Sequence, residues 1–127
     1  MDDAPLLSDE WLSACNAALV TLARPEGRAA GPGPLVVTEL VTGAPAGTHD
    51  AVTLVADDRG VRLVAGRDDA ATAWFTVSFA DVQALHSGEL DPARALTEGR
   101  VRVRGDLRAV VDAVDLLASA HAAMRAR

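Results

Sequence analysis

The chain contains no lysine and no tyrosine, only one cysteine, and only two residues each of tryptophan and phenylalanine. A single cysteine excludes an internal disulfide framework and fits a reducing compartment. So few aromatic rings leave little for stacking on nucleic-acid bases. With a net charge of −6, the chain also lacks the positive surface that binding to a phosphate backbone requires. We therefore expect no nucleic-acid partner.

Long hydrophobic runs and targeting segments are also missing. No stretch approaches the roughly 18 apolar residues that a membrane span needs, so stable membrane insertion is not expected. The N-terminal sequence is acidic and lacks the basic-then-apolar layout of a secretory signal. All 12 basic residues are arginine, a bias that fits a GC-rich genome. These features predict a cytoplasmic protein of bacterial origin.

Familiar arrangements for catalysis or metal binding are absent as well. His49, His86 and His121 stand at no metal-ligand spacing. We expect them to be an exposed residue, a partner of a helix dipole and a residue at the core boundary. Cys15 lies on the apolar side of a predicted helix, which indicates a buried structural thiol. The segment Gly27–Gly33 lacks the spacing of a nucleotide-binding loop. The sequence thus predicts no enzyme, no cofactor and no metal site.

Helix caps and turn residues are the informative part of what is present. Ser8, Ser78, Asp91 and Asp106 stand where helix N-caps are expected. The predicted helices begin after these four caps, and the predicted strands are Leu35–Thr42, Ala51–Ala56, Val61–Ala65, Ala71–Val77 and Arg100–Arg104. The length predicts one domain over residues 1–127, with a core from about residue 8 to 124.

Strands grouped early and helices segregated around them predict an α+β fold. We expect a five-stranded, mixed and mainly antiparallel sheet with helices packed on one face. The short helical connection between the fourth and fifth strands favours a parallel pairing of those two strands.

The face of the sheet opposite the helices carries an unusual set of side chains. Strand alternation places Arg100, Arg102 and Arg104 together, opposite Val101 and Val103. Arg62 and Trp74 are also expected to point to this open face. Arginine and tryptophan are enriched at interaction hot spots, so the five residues predict a homodimer contact. A solvated sheet face is the alternative.

The run from Leu85 to Leu107 resembles the sterol carrier protein type 2 (SCP2) domain family. It reads Leu-His-Ser-Gly, then Glu-Leu-Asp-Pro, then Ala-Leu-Thr-Glu-Gly from Ala95, then an alternating strand closed by Gly105-Asp106-Leu107. The likeness extends over roughly Ser8 to Ala118. It implies a five-stranded sheet with helices on one face and an apolar cavity between them. Family members bind or carry sterols, fatty acids, acyl thioesters or other lipids and need no catalytic residues.

If such a cavity exists, its lining should come from inward residues of the central strands and the facing helices. The predicted ligand-binding residues are Leu54, Phe75, Val77, Phe79, Val82, Leu85, Leu96, Val103, Val110 and Leu117. The alternative for each of them is ordinary core packing. The poverty in aromatic residues predicts a small or shallow pocket.

Three functions follow as hypotheses. The first is non-catalytic binding or carriage of a hydrophobic ligand, such as a fatty acid, an acyl chain or another lipid. The second is a homodimerisation or protein-interaction module whose cavity has closed. The third is an accessory domain for a separate enzyme.

Overall fold

The structure, a computed structural model, describes residues 5–22 and 34–126. The predicted loop Gly27–Gly33 therefore lies outside the described residues. The elements in chain order are α1 (Asp9–Leu22), β1 (Leu35–Thr42), β2 (Ala51–Asp57), β3 (Gly60–Ala65), β4 (Ala73–Ser78), α2 (Phe79–Ser87), α3 (Pro92–Thr97), β5 (Arg102–Gly105) and α4 (Leu107–Arg125).

The five strands form one mixed sheet in the order β3-β2-β1-β4-β5. Neighbouring strands are antiparallel, except that β1 and β4 run parallel at the centre. The predicted α+β class and the mainly antiparallel sheet are confirmed. The expected parallel pairing of β4 with β5 is wrong, because β5 returns antiparallel along the outer edge of β4. The parallel pair is instead β1 and β4, and the chain between these two strands contains the β2–β3 hairpin.

The predicted caps begin the helices. Ser8, Ser78, Asp91 and Asp106 each accept a backbone N–H from the first turn at 3.0–3.3 Å. These bonds satisfy donors that a helix leaves without an internal partner. At the other end of α2, Gly88 adopts φ +89°, a left-handed conformation that costs a glycine little. These caps and this glycine thus determine where the helices begin and where α2 ends.

The core lies between one face of the sheet and the helices. On β1, Val37, Glu39 and Val41 share this face, and Phe75 and Val77 extend it on β4. Helix α1 packs on β3 and α4, while α2 and α4 pack on each other and on the central strands. One face of the sheet therefore carries a helical layer, as the sequence predicted.

The fifth strand is shorter than predicted, which changes the position of Arg100. Strand β5 begins only at Arg102, and the Arg100 guanidinium lies 2.9 Å from Asp81 of α2 and 3.0 Å from Glu98. The expectation that Arg100 shares the open face with the other two arginines is therefore wrong. The carboxylates of Asp81, in the first turn of α2, and Glu98, just after α3, hold the Arg100 side chain away from the sheet face.

Candidate functional site

A cavity lies where α2 and α4 meet the central strands β1 and β4. It is small, with a volume of about 20 Å³, and can hold no more than a few water molecules. Its walls are mostly hydrocarbon and come from five elements. The lining residues are Glu39, Phe75, Val82, Leu85, Pro92, Val114, Leu117, Ala118 and His121.

Part of the predicted ligand-binding set surrounds this cavity. Phe75, Val82, Leu85 and Leu117 line it. The remaining predicted residues belong to the packed core around it: Leu54, Val77 and Val110 are buried, and Phe79, Leu96 and Val103 are half-buried against the core. A binding role for any of the ten residues stays a prediction.

Glu39 is an acidic side chain in the middle of the central strand β1. It is only 8% exposed, and its neighbours in register are Val52 of β2 and Phe75 of β4. Among the described residues, no hydrogen bond or ion pair reaches its carboxyl group. Burial raises the pKa of Glu39 to about 7, because the charged form loses its hydration without gaining a partner. The carboxyl group can therefore change its protonation state near neutral pH.

His121 brings the second polar group to the cavity from α4. It is 6% exposed, and neither ring nitrogen has a hydrogen-bond partner among the described residues. Burial, followed by the fields of His86 and Arg125, lowers the pKa of His121 to about 3. The imidazole is thus neutral at physiological pH, with one N–H donor and one bare acceptor nitrogen.

His86 and Trp11 complete a small aromatic cluster with His121. The ring centroids of the two histidines are 4.8 Å apart, and Trp11 meets His121 and His86 at 5.5 and 5.9 Å, all edge to face. Burial, with Arg125 nearby, lowers the pKa of His86. His86 does lie in the last turn of α2, as expected, and its lowered pKa disfavours the imidazolium form that would interact most strongly with the helix dipole. His86 and His121, which are 35 positions apart in the sequence, thus meet in the fold.

Sequence reasoning overlooked Glu39, although a signal was present. The segment Leu35–Thr42 holds one acidic residue among apolar and β-branched ones, and strand alternation puts it on the same face as Val37 and Val41. A carboxylate on the core face of a central strand is costly and for that reason informative. The meeting of His86 with His121 had no comparable signal, because α2 and α4 are brought together only by the tertiary fold.

Cys15 fits its sequence prediction. The thiol belongs to a residue that is fully buried in α1. Burial, with the field of Glu39, raises the pKa of Cys15 to about 12. A thiol of this kind is not a nucleophile at neutral pH.

The open sheet face is less continuous than predicted. Trp74 is half-buried and stands directly across from Arg104. Arg62, at the opposite edge, is held by two hydrogen bonds of 3.1 Å to Asp57. The middle of the face is already buried, including Val36. The five predicted interface residues therefore do not form one patch, since the sheet centre separates Arg62 from Trp74 and Arg104, and Arg100 lies elsewhere.

Two further properties concern the described residues only. They contain no group of three histidine, cysteine or acidic side chains arranged to hold a metal ion. None of their helices is both long enough and apolar enough to cross a membrane.

Comparison with known proteins gives a family match over most of the chain. The model of the SCP-2 sterol transfer family matches residues 38–118, which include all of β2 to α3 and β5. No curated protein matches the chain in sequence.

Solved structures share the fold at low sequence identity. A crystal structure of sterol carrier protein 2 matches with a TM-score of 0.64 and 23% identity, over 92% of this chain and 98% of that one. Palmitated SCP2L2 from Aedes aegypti matches with a TM-score of 0.62 and 19% identity, over 87% of this chain and 94% of the other.

A much larger protein contains the same fold as a part. The inverting sec-alkylsulfatase Pisa1 from Pseudomonas sp. matches with a TM-score of 0.56 and 13% identity, over 77% of this chain. This chain spans only 15% of the length of that sulfatase.

Proposed function

Because the chain belongs to the SCP-2 sterol transfer family, we propose that it binds a hydrophobic molecule between its helices and its sheet and carries it without chemical change. The ligand class is a lipid with an alkyl or acyl chain. The observation that carries this proposal is the void at the junction of α2, α4 and the central strands. Its hydrocarbon walls include Phe75, Val82 and Leu117.

Hydrocarbon walls supply the binding free energy in such a site. Each buried CH₂ group contributes about 0.8 kcal/mol, so a chain of about ten carbons offers about 8 kcal/mol before ordering costs are subtracted. The chain shares its fold with SCP2L2 from Aedes aegypti, whose structure is that of a palmitated protein.

The size of the cavity sets a condition on binding. Ligand pockets for drug-sized molecules are far larger than this cavity. A chain-like ligand must therefore displace side chains of the lining, such as Val82, Leu85 and Val114. These side chains are aliphatic, so their contacts can be exchanged for ligand contacts of the same kind without leaving a polar group unpaired.

The test is to fill the cavity from one wall. Ala118 lines it from α4, so Ala118→Phe places a ring where the ligand chain should enter. Ala123 is equally half-buried on the same helix but does not line the cavity, which makes Ala123→Phe the matched control. Uptake of the neutral dye Nile red is measured by its fluorescence, and the fold of each variant by circular dichroism.

We expect Ala118→Phe to weaken dye binding by about tenfold, while Ala123→Phe binds as the unmodified protein does. If all three proteins bind the dye equally, the ligand does not occupy this cavity. If the unmodified protein binds no dye at any concentration, the carrier function itself fails.

The open sheet face is the second candidate site, for contact with another copy of the chain. The observation in its favour is that Val64 is 47% exposed there, with Trp74 half-buried on the same face. Sedimentation velocity over a concentration series tests it. A monomer at every concentration would remove the homodimer.

A further inference from the structure

The two polar groups of the cavity are both acid–base groups, and neither has a partner in the part of the chain that the structure describes. Glu39 and His121 line the same void, and each is more than nine-tenths buried. Apolar residues at both positions would make the fold more stable, since a buried polar group without a hydrogen bond lowers stability. Such groups are explained if they pair with something that enters the cavity.

Within residues 5–22 and 34–126, no basic side chain forms an ion pair with Glu39. Burial is what raises its pKa. The chain has no lysine at all. Three of the arginines, Arg62, Arg94 and Arg100, are held by surface carboxylates. Glu39 lines the void, and no described residue takes up the capacity of its carboxyl group to accept hydrogen bonds or to attract a positive charge.

This arrangement distinguishes between lipid head groups. A fatty acid would bring a second carboxylate beside Glu39, and two carboxylates in one site repel each other unless one takes up a proton. A hydroxyl group can donate to the Glu39 carboxylate, and it can accept a hydrogen bond from the neutral imidazole of His121. An ammonium group forms a charge-assisted hydrogen bond with the same carboxylate.

Resting on the carrier function proposed above, we infer that the cavity selects lipids whose head group donates a hydrogen bond and carries no negative charge, namely alkyl alcohols and alkyl amines, over fatty acid anions. Glu39 is the residue that makes this selection.

Three amphiphiles that share one alkyl chain test the inference: decanol, decylamine and decanoate. Each is titrated against the protein at pH 8, where Glu39 is largely ionised, and binding is measured by displacement of Nile red. We expect decanol and decylamine to displace the dye at concentrations about tenfold lower than decanoate, a difference of about 1.4 kcal/mol. This ranking needs no variant, so it tests the inference in the unmodified protein.

Glu39→Gln then assigns the selection to one side chain. We expect this variant to lose the preference for decylamine and to bind decanoate about tenfold better than the unmodified protein. The matched control is Glu89→Gln, because Glu89 is exposed and the change alters the net charge equally.

The outcomes separate the two proposals. Decanoate binding as tightly as decanol would overturn the inference and leave the carrier function intact. An unchanged ranking in Glu39→Gln would overturn the role of Glu39. If none of the three compounds displaces the dye from any variant, the carrier function fails together with the inference.

Discussion

At the scale of single residues, the most consequential side chain is Glu39. Its carboxyl group lies on the core face of a central strand, and its pKa rises to about 7 because burial removes hydration. The folded protein therefore holds a proton that the unfolded chain releases near the ordinary value of 4.5. By linkage, the presence of Glu39 reduces stability as the pH rises from about 4.5 to about 7.

Replacing this acid should make the protein more stable at neutral and alkaline pH. We expect Glu39→Gln to raise the free energy of unfolding by about 3 kcal/mol at pH 8, and to leave it unchanged below about pH 4.5. Urea denaturation of both proteins between pH 4 and pH 8 measures the difference. Glu89→Gln, at an exposed position, should show no such pH-dependent gain.

The difference in unfolding free energy between Glu39→Gln and the unmodified protein is the quantity to compare, because His121 changes stability with pH in the opposite direction to Glu39. Its pKa falls from 6.5 to about 3, so its neutral form supports the fold above about pH 6.5 and that support is lost as the pH falls towards 3. Between pH 4.5 and 6.5 the two groups nearly cancel in the unmodified protein. A stability gain that is independent of pH would contradict the assignment of a raised pKa to Glu39.

At the scale of elements, α1 closes one edge of the sheet. The Asn16 side chain donates to the Leu63 carbonyl oxygen at 2.9 Å, and its own oxygen accepts from the Leu63 N–H at 2.6 Å. The amide thus takes the place of a further strand beside β3. An edge strand that is covered in this way is less prone to pair with another chain.

Removing this amide should loosen the β3 edge. We expect Asn16→Ala to lower the free energy of unfolding by about 1–3 kcal/mol, because two backbone groups of Leu63 lose their partner. The Leu63 amide hydrogen should exchange faster, as followed by nuclear magnetic resonance. Ser13→Ala, at an exposed site on the same helix, is the control. It should change the free energy of unfolding by no more than a few tenths of a kcal/mol and leave the Leu63 exchange rate unchanged. Equal exchange at Leu63 in both variants would contradict the edge contact.

The elements also show which features a sequence specifies locally. Caps such as Ser78 and Asp91 act on their own first turn, so the helix starts were predictable. Strand pairing is a long-range property, and the antiparallel arrangement of β4 with β5 was missed for that reason. Arg100 was misplaced because its partner Asp81 belongs to another element.

At the scale of the whole molecule, the layer of helices on one sheet face was predictable and the cavity only in part. Alternation along the strands identifies Phe75 as a side chain that faces the helices, and helical spacing identifies Val82, Leu85 and Leu117 as side chains that face the sheet. The cavity itself depends on how closely α2 and α4 pack on the sheet. That spacing is set by side-chain shapes from separate elements, which no local pattern contains.

The central claim is that a lipid chain enters between α2, α4 and the sheet. The most direct measurement is the set of nuclear Overhauser effects between bound decanol and the methyl groups of the protein. We predict contacts to Val82, Leu85, Val114 and Leu117. Contacts confined to Val36, Val55 or Val64 on the opposite sheet face, or none at saturating decanol, would contradict it.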